Sequence, residues 1–179
     1  TANSAAAGIN DASGQTFNVG VTTVTYTVTD AAGNTATCSF NVTINDTENP
    51  TITCPGNISQ NNDLGICGAL VNYVTPVGLD NCPGSITSLT VGLPSGSVFP
   101  VGVTTVTYNV IDLAGNTAQC SFDVIVTDNE LPTAICPADQ NDFYDASCQY
   151  TVLDYVPATI SSDNCGVFSV TQSPAAGTV

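Results

Sequence analysis

The sequence predicts an all-β chain built of small sandwich modules in file, each braced by disulfides. Three observations carry that prediction. Apolar residues alternate with Thr, Ser and Asn along several stretches, the period of a half-buried strand. The chain repeats itself at a spacing of 82 residues, position 17 matching position 99. Eight cysteines stand in a chain that has no His, the pattern of a disulfide framework rather than a metal site.

The first strand signal is Val24, Tyr26 and Val28 alternating with Thr25, Thr27 and Thr29. Asp30-Ala31-Ala32-Gly33-Asn34 then reads as a turn, after which Cys38, Phe40, Val42 and Ile44 alternate with Ser39, Asn41 and Thr43. Together they predict a long hairpin with one face buried. Further on, Ile52 and Cys54 share a face of a short strand, and Cys67, Ala69, Val71 and Tyr73 do so on the next. Ile86, Thr90 and Val91 mark a third. The hairpin then returns as Val106, Tyr108, Val110, and Cys120, Phe122, Val124, Val126. No helical period is present. Six or seven short strands in one such unit predict an immunoglobulin-like β-sandwich.

Self-similarity fixes the organisation. Phe17 to Tyr26 recurs as Phe99 to Tyr108, Ala32 to Ala36 as Ala114 to Ala118, and Cys38-Ser39-Phe40 as Cys120-Ser121-Phe122. Pro50 matches Pro132 and Cys54 matches Cys136 at the same spacing. Cys67 matches Cys148, and Asp80-Asn81-Cys82 matches Asp163-Asn164-Cys165, with drifts of one residue that belong in loops. The expected division is the C-terminal half of one repeat over 1–48, a complete repeat over 49–130, and the N-terminal part of a third over 131–179, like beads on a string. On this reading the chain is an excerpt of a longer array.

Composition removes many functions. The chain has no Lys, Arg or His and carries 15 carboxylates, 13 Asp and 2 Glu, for a formal charge of −15. Nucleic-acid binding needs cations to meet phosphate, and anionic membranes need the same, so neither is a partner. Ser-His-Asp and Cys-His catalysis, Schiff bases and His metal sites all lack their residues. The expectation is a protein that is not an enzyme. No apolar run reaches the length of a membrane span. The residues are nonetheless too apolar, 42% hydrophobic, for an acidic disordered chain.

Pro50-Thr51-Ile52-Thr53-Cys54-Pro55, Asp80-Asn81-Cys82, Gly92 to Gly102 and Asp112-Leu113-Ala114-Gly115-Asn116-Thr117-Ala118-Gln119-Cys120-Ser121-Phe122 resemble the hyalin repeat. This is a short immunoglobulin-like module found in tandem in extracellular proteins. The resemblance covers the whole chain. It implies an extracellular, cell-surface location and a role in adhesion or spacing. The acidic, Lys-poor style is also similar to the repeat arrays of giant bacterial surface adhesins, including gliding-motility adhesins.

Four cysteines in the complete repeat allow three connectivities. In a sandwich of this topology the first and last strands can lie side by side and parallel. Sparser members of the family keep only this pair of cysteines, which implies Cys54–Cys120. That leaves Cys67–Cys82, and by the same reasoning Cys148–Cys165. Cys38 and Cys136 then have partners outside the excerpt.

In an immunoglobulin-like unit, the incoming linker shares one end with the second-to-third and sixth-to-seventh strand loops. The first linker and those loops supply Asp46, Glu48, Asp80 and Asp112; the second linker supplies Asp128 and Glu130, joined by Asp163. Oxygen ligands in such a set suit Ca²⁺, and an ion there would stiffen the hinge. The competing reading is that these acids cap their own turns and keep the array soluble.

The favoured function is a stiff spacer segment of a long adhesin or filament that projects an adhesive tip. Its partners are then neighbouring repeats of the same chain and, in a filament, other chains. The alternative makes each repeat a binding module for a protein or glycan surface ligand.

Overall fold

The computed structural model describes residues 14–141, 143 and 146–178; the part of the first repeat ahead of residue 14 lies outside them. The described residues are all-β, with one short 3-10 turn at Val156–Ala158. They form two compact units. One gathers the described residues up to Thr51 with Gly78–Ile86 and Val110–Ala118; the other holds Ile52–Val77, Thr87–Asn109 and the described residues from Gln119 onward.

β1 (Gly20–Thr29) and β2 (Thr35–Ile44) form the expected antiparallel hairpin, with Val24 opposite Phe40 and Tyr26 opposite Cys38. A closely similar sequence makes a second hairpin from β7 (Gly102–Ile111) and β8 (Thr117–Thr127). The turns close alike. Asp30 accepts hydrogen bonds from the amides of Ala32 and Asn34 and from the Asn34 side chain. Asp112 accepts them from the amides of Gly115 and Asn116 and the Asn116 side chain. Gly33 and Gly115 sit at φ +89° and +97°, where a Cβ would be strained.

In the complete repeat, β3 (Ile58–Asn61), β8, β7 and β5 (Ile86–Val91) make a four-stranded sheet in that order. β3 runs parallel to β8, with Ile58 opposite Val124. β4 (Gly68–Val71) pairs antiparallel with β6 (Ser97–Pro100). Ala69, Val71 and Phe99 from the small sheet meet Val106, Tyr108, Phe122, Val124 and Val126 from the large one, all buried. Tyr73 stands edge-on to Phe122 at 5.0 Å and its hydroxyl meets that of Tyr108 at 3.1 Å. This is the two-layer core that the alternation predicts. In the first copy, Val24 is buried but Phe40 is 49% exposed.

Three details differ from expectation. Ile52 and Cys54 pack against the core without joining a ladder; the parallel edge strand is β3, just beyond them. β5 turns Leu89 to the core and leaves Ile86 and Val91 exposed, one pleat out of phase with the predicted face. β6 is a strand that the sequence reading passed over. In the third copy, β9 (Thr133–Ile135) and β10 (Ile160–Ser162) pair antiparallel.

The structure bridges Cys54 to Cys120 and Cys67 to Cys165. It overturns Cys67–Cys82 and Cys148–Cys165, since Cys82 and Cys148 are free thiols, as are Cys38 and Cys136. The reason lies in what each turn is tied to. The turn before Cys67 is fastened to the outgoing linker: the Asn62 amide donates to Thr127 O at 2.9 Å, and Gly65 N donates to Glu130 Oε2 at 2.8 Å. Cys82 is held instead beside Asp46 of the incoming linker.

Candidate functional site

The sequence places its acids in the linkers and in the Asp-Asn-Cys turns, and folding gathers them there. Asp46 and Glu48 follow β2; Asp128 and Glu130 follow β8. In both linkers the first acid turns back on the second, Asp46 accepting from Glu48 N and Asp128 from Glu130 N, each at 3.1 Å. Each Asp-Asn-Cys turn is an Asx turn: Cys82 N donates to Asp80 and Cys165 N to Asp163, each at 2.9 Å.

Oxygens of Asp46 and Asp80 and the sulfur of Cys82 lie within 4.8 Å of one another, and Asp128, Asp163 and Cys165 repeat that cluster. Glu48 stands beside the first cluster, accepting from the Asn81 side chain at 2.5 Å. Glu130 accepts from Gly65 N. Asp112 stays with its own turn. All seven expected ligands accept hydrogen bonds from protein donors, and four of them, Asp46 with Asp80 and Asp128 with Asp163, converge in two pairs.

The electrostatics follow from having carboxylates and no cation. Burial pushes the Asp112 carboxyl up, but hydrogen bonds from the Asn116 side chain and from the backbone outweigh it and hold the group below its usual range. The Asn34 side chain, followed by backbone donors, lowers Asp30 in the same way. The Cys82 thiol is pushed up by its hydrogen bond to Asp46, by burial, and by the negative field of Asp46, Asp80 and Asp112. One oxygen of Asp80, Oδ1, is buried with no hydrogen-bond partner.

Around Cys82 lies an open groove of about 690 Å³, bordered by Phe17, Val19, Asp46, Asn81, Pro83 and Leu113. The sequence points to the acids at these junctions through the topology of an immunoglobulin-like unit, in which linker and loops share one end. That reading missed the role of Asn81 and Asn164, whose signal lay in their matched places in the two Asp-Asn-Cys turns, and that of Gly65, which acts through a backbone amide that leaves no such signal.

A family model described as HYR domain matches residues 4–44 and 45–126. Hyalin from Strongylocentrotus purpuratus is 37% identical over 169 residues, covering 90% of this chain and 14% of that protein. Hyalin from Lytechinus variegatus is 40% identical over 131 residues, covering 70% of this chain and 24% of that protein. The chain thus spans less than a quarter of the length of either relative. These relatives lend no support to the likeness to gliding-motility adhesins. The family is adhesion-related and non-enzymatic in type, and it places the chain outside the cell, where disulfides persist. With two adjacent matched repeats and a tandem β-sandwich architecture, the chain belongs to the HYR domain family.

Proposed function

We propose that this chain is a spacer segment of a long extracellular adhesive protein, its repeats setting reach and resisting bending while chemistry is left to no residue within it. One observation carries the reading. The linker after the complete repeat is fastened along its length: Asn129 N donates to Asn62 Oδ1 at 3.1 Å, Glu130 accepts from Gly65 N, and a disulfide joins Cys67 to Cys165. A linker held by so many local contacts is stiff, unlike a flexible polar tether.

The test is binding. The fluorescently labelled chain is titrated onto cell surfaces and onto glycan and matrix-protein arrays. The spacer role predicts no saturable uptake. Saturable binding by this segment favours the alternative, in which each repeat is itself a ligand-binding module.

A second reading concerns Ca²⁺. The convergence of Asp46 with Asp80, and the buried Asp80 Oδ1 without a donor, support a cation there. Glu48 is a third oxygen donor beside the pair, and Asp128, Asp163 and Glu130 supply the matching set. Melting in EDTA and then in millimolar Ca²⁺ tests it. A rise in Tm that Asp80→Asn abolishes supports the ion, and identical melting curves exclude it.

A further inference from the structure

The bridge from Cys67 to Cys165 joins two different repeats. Around it, three groups of the third repeat and its linker receive three consecutive residues of the complete repeat. Glu130 Oε2 takes the amide of Gly65 at 2.8 Å, Asn164 Nδ2 donates to Ile66 O at 3.0 Å, and Cys165 bonds Cys67. One repeat earlier, the register mates of the receiving groups are Glu48, Asn81 and Cys82. They are arranged alike. Cys82 and Cys165 sit in the same Asx turn, each clustered with the matching pair of carboxylates. No Gly-Ile-Cys turn meets Glu48, Asn81 and Cys82 among the described residues. There Asn81 donates to Glu48, so the two groups that would bind the turn's carbonyl and amide satisfy each other. Cys82 borders an open groove as a free thiol.

We propose that Glu48, Asn81 and Cys82 form a docking site for the cysteine-bearing turn of a preceding repeat (Gly65-Ile66-Cys67 in the complete repeat, Ala146-Ser147-Cys148 in the third), and that such sites link successive repeats into a relay of disulfides. Each repeat then offers one cysteine forward and one backward. Cys67 reaches forward to Cys165, Cys82 receives from the repeat before, and Cys148, the mate of Cys67, reaches to the repeat after. Each staple forms by thiol–disulfide exchange with a small disulfide donor. Two protein thiols lose two protons and two electrons, one S–S bond forms between them, and the donor's S–S bond breaks to release two thiols. The inference shares the Cys67–Cys165 bridge with the spacer reading; absence of that bridge would undercut both, whereas release of a repeat appended to the chain refutes the relay alone, and saturable binding refutes the spacer alone.

The sequence supplies a direct test. Its two glutamates, Glu48 and Glu130, both lie in linkers, so a glutamate-specific protease cuts the chain into 1–48, 49–130 and 131–179. Free thiols are first blocked with N-ethylmaleimide, and the chain is unfolded in urea and cut. The relay predicts that 49–130 and 131–179 remain one covalent species until reductant is added, while 1–48 is released. It also predicts that Cys67→Ser frees all three. Three separate fragments without reductant, or a bridge between Cys67 and Cys82, would overturn it. A second chain extends this one in register with copies of residues 97–130 and then 49–96. There the relay predicts that the appended 49–96 stays attached through Cys148 after cutting, and is lost when the copied Cys82 is replaced by Ser. Release of that segment from the unmutated extended chain would refute the relay.

Discussion

Cys82 sits in a negative pocket made by the incoming linker and its own repeat. The thiol donates a hydrogen bond to Asp46, burial adds to this, and Asp46, Asp80 and Asp112 supply a negative field, so the thiolate form is disfavoured. Alkylation of Cys82 at pH 8 should therefore run several-fold slower than that of an unstructured cysteine peptide. Asp46→Asn should speed it, as read by mass spectrometry of time points; an unchanged rate would show that Asp46 does not hold the thiol. Asp112 acts in the opposite sense. Its folded pKa is depressed, so its contribution to stability is present above the unfolded value, near pH 4, and is lost as pH falls through the lower folded value. Asp112→Asn should lower Tm by several degrees at pH 7, and the gap to the parent should close toward pH 3. The difference between the two proteins is the measure, because protonating the other carboxylates relieves their mutual repulsion at the same time. The sequence displays these turn acids plainly, since Asp and Asn at fixed spacing already read as capping residues. The partner of Cys67 is not displayed. Pairing within one repeat leaves Cys82 once Cys54–Cys120 is taken, whereas the choice is made by which linker each turn is fastened to.

At the scale of elements, the alternating strands were the legible part. β1, β2, β7 and β8 carry clean period-two patterns, and their hairpin turns carry the Asp-to-Asn clamp. The short strands were harder. β3 and β6 have four residues each, too few for a period to emerge, and β5 shows Ile86 and Val91 to solvent. Phe99 on β6 is nonetheless fully buried at the centre of the core. Its replacement by Ala should cost roughly 3–5 kcal/mol, measured by urea denaturation of the chain. Val103, largely exposed on β7, should tolerate Thr with a change within about 0.5 kcal/mol. Equal costs at the two positions would mean that the two-layer core is misplaced.

Over the whole molecule, two opposing terms dominate. Fifteen carboxylates without one Lys or Arg repel one another, and two disulfides closing 66 and 98 residues restrain the unfolded chain. In the chain-entropy model each closure contributes roughly 4–5 kcal/mol, enough to decide folding in modules with so small a core. Tm should rise as NaCl goes from 10 to 500 mM, because screening weakens the repulsion. A Tm that is flat or falling over that range would contradict this. The train of repeats, its all-β class and its acidic junctions were readable in the sequence, because repetition and composition are properties of the chain itself. How one repeat grips the next was not, because it depends on a backbone amide and carbonyl, Gly65 N and Ile66 O, that any residue type carries.

Sulfur bracing limits how far this train of β-modules can be drawn out. Single-molecule pulling between Thr1 and Val179 tests it most directly. In the oxidised chain, load can bypass residues 67–165 through the bridge, leaving about 80 residues of backbone to extend, about 280 Å at full stretch. With reductant present the same chain should reach about 620 Å. Equal contour lengths in the two conditions would contradict the account.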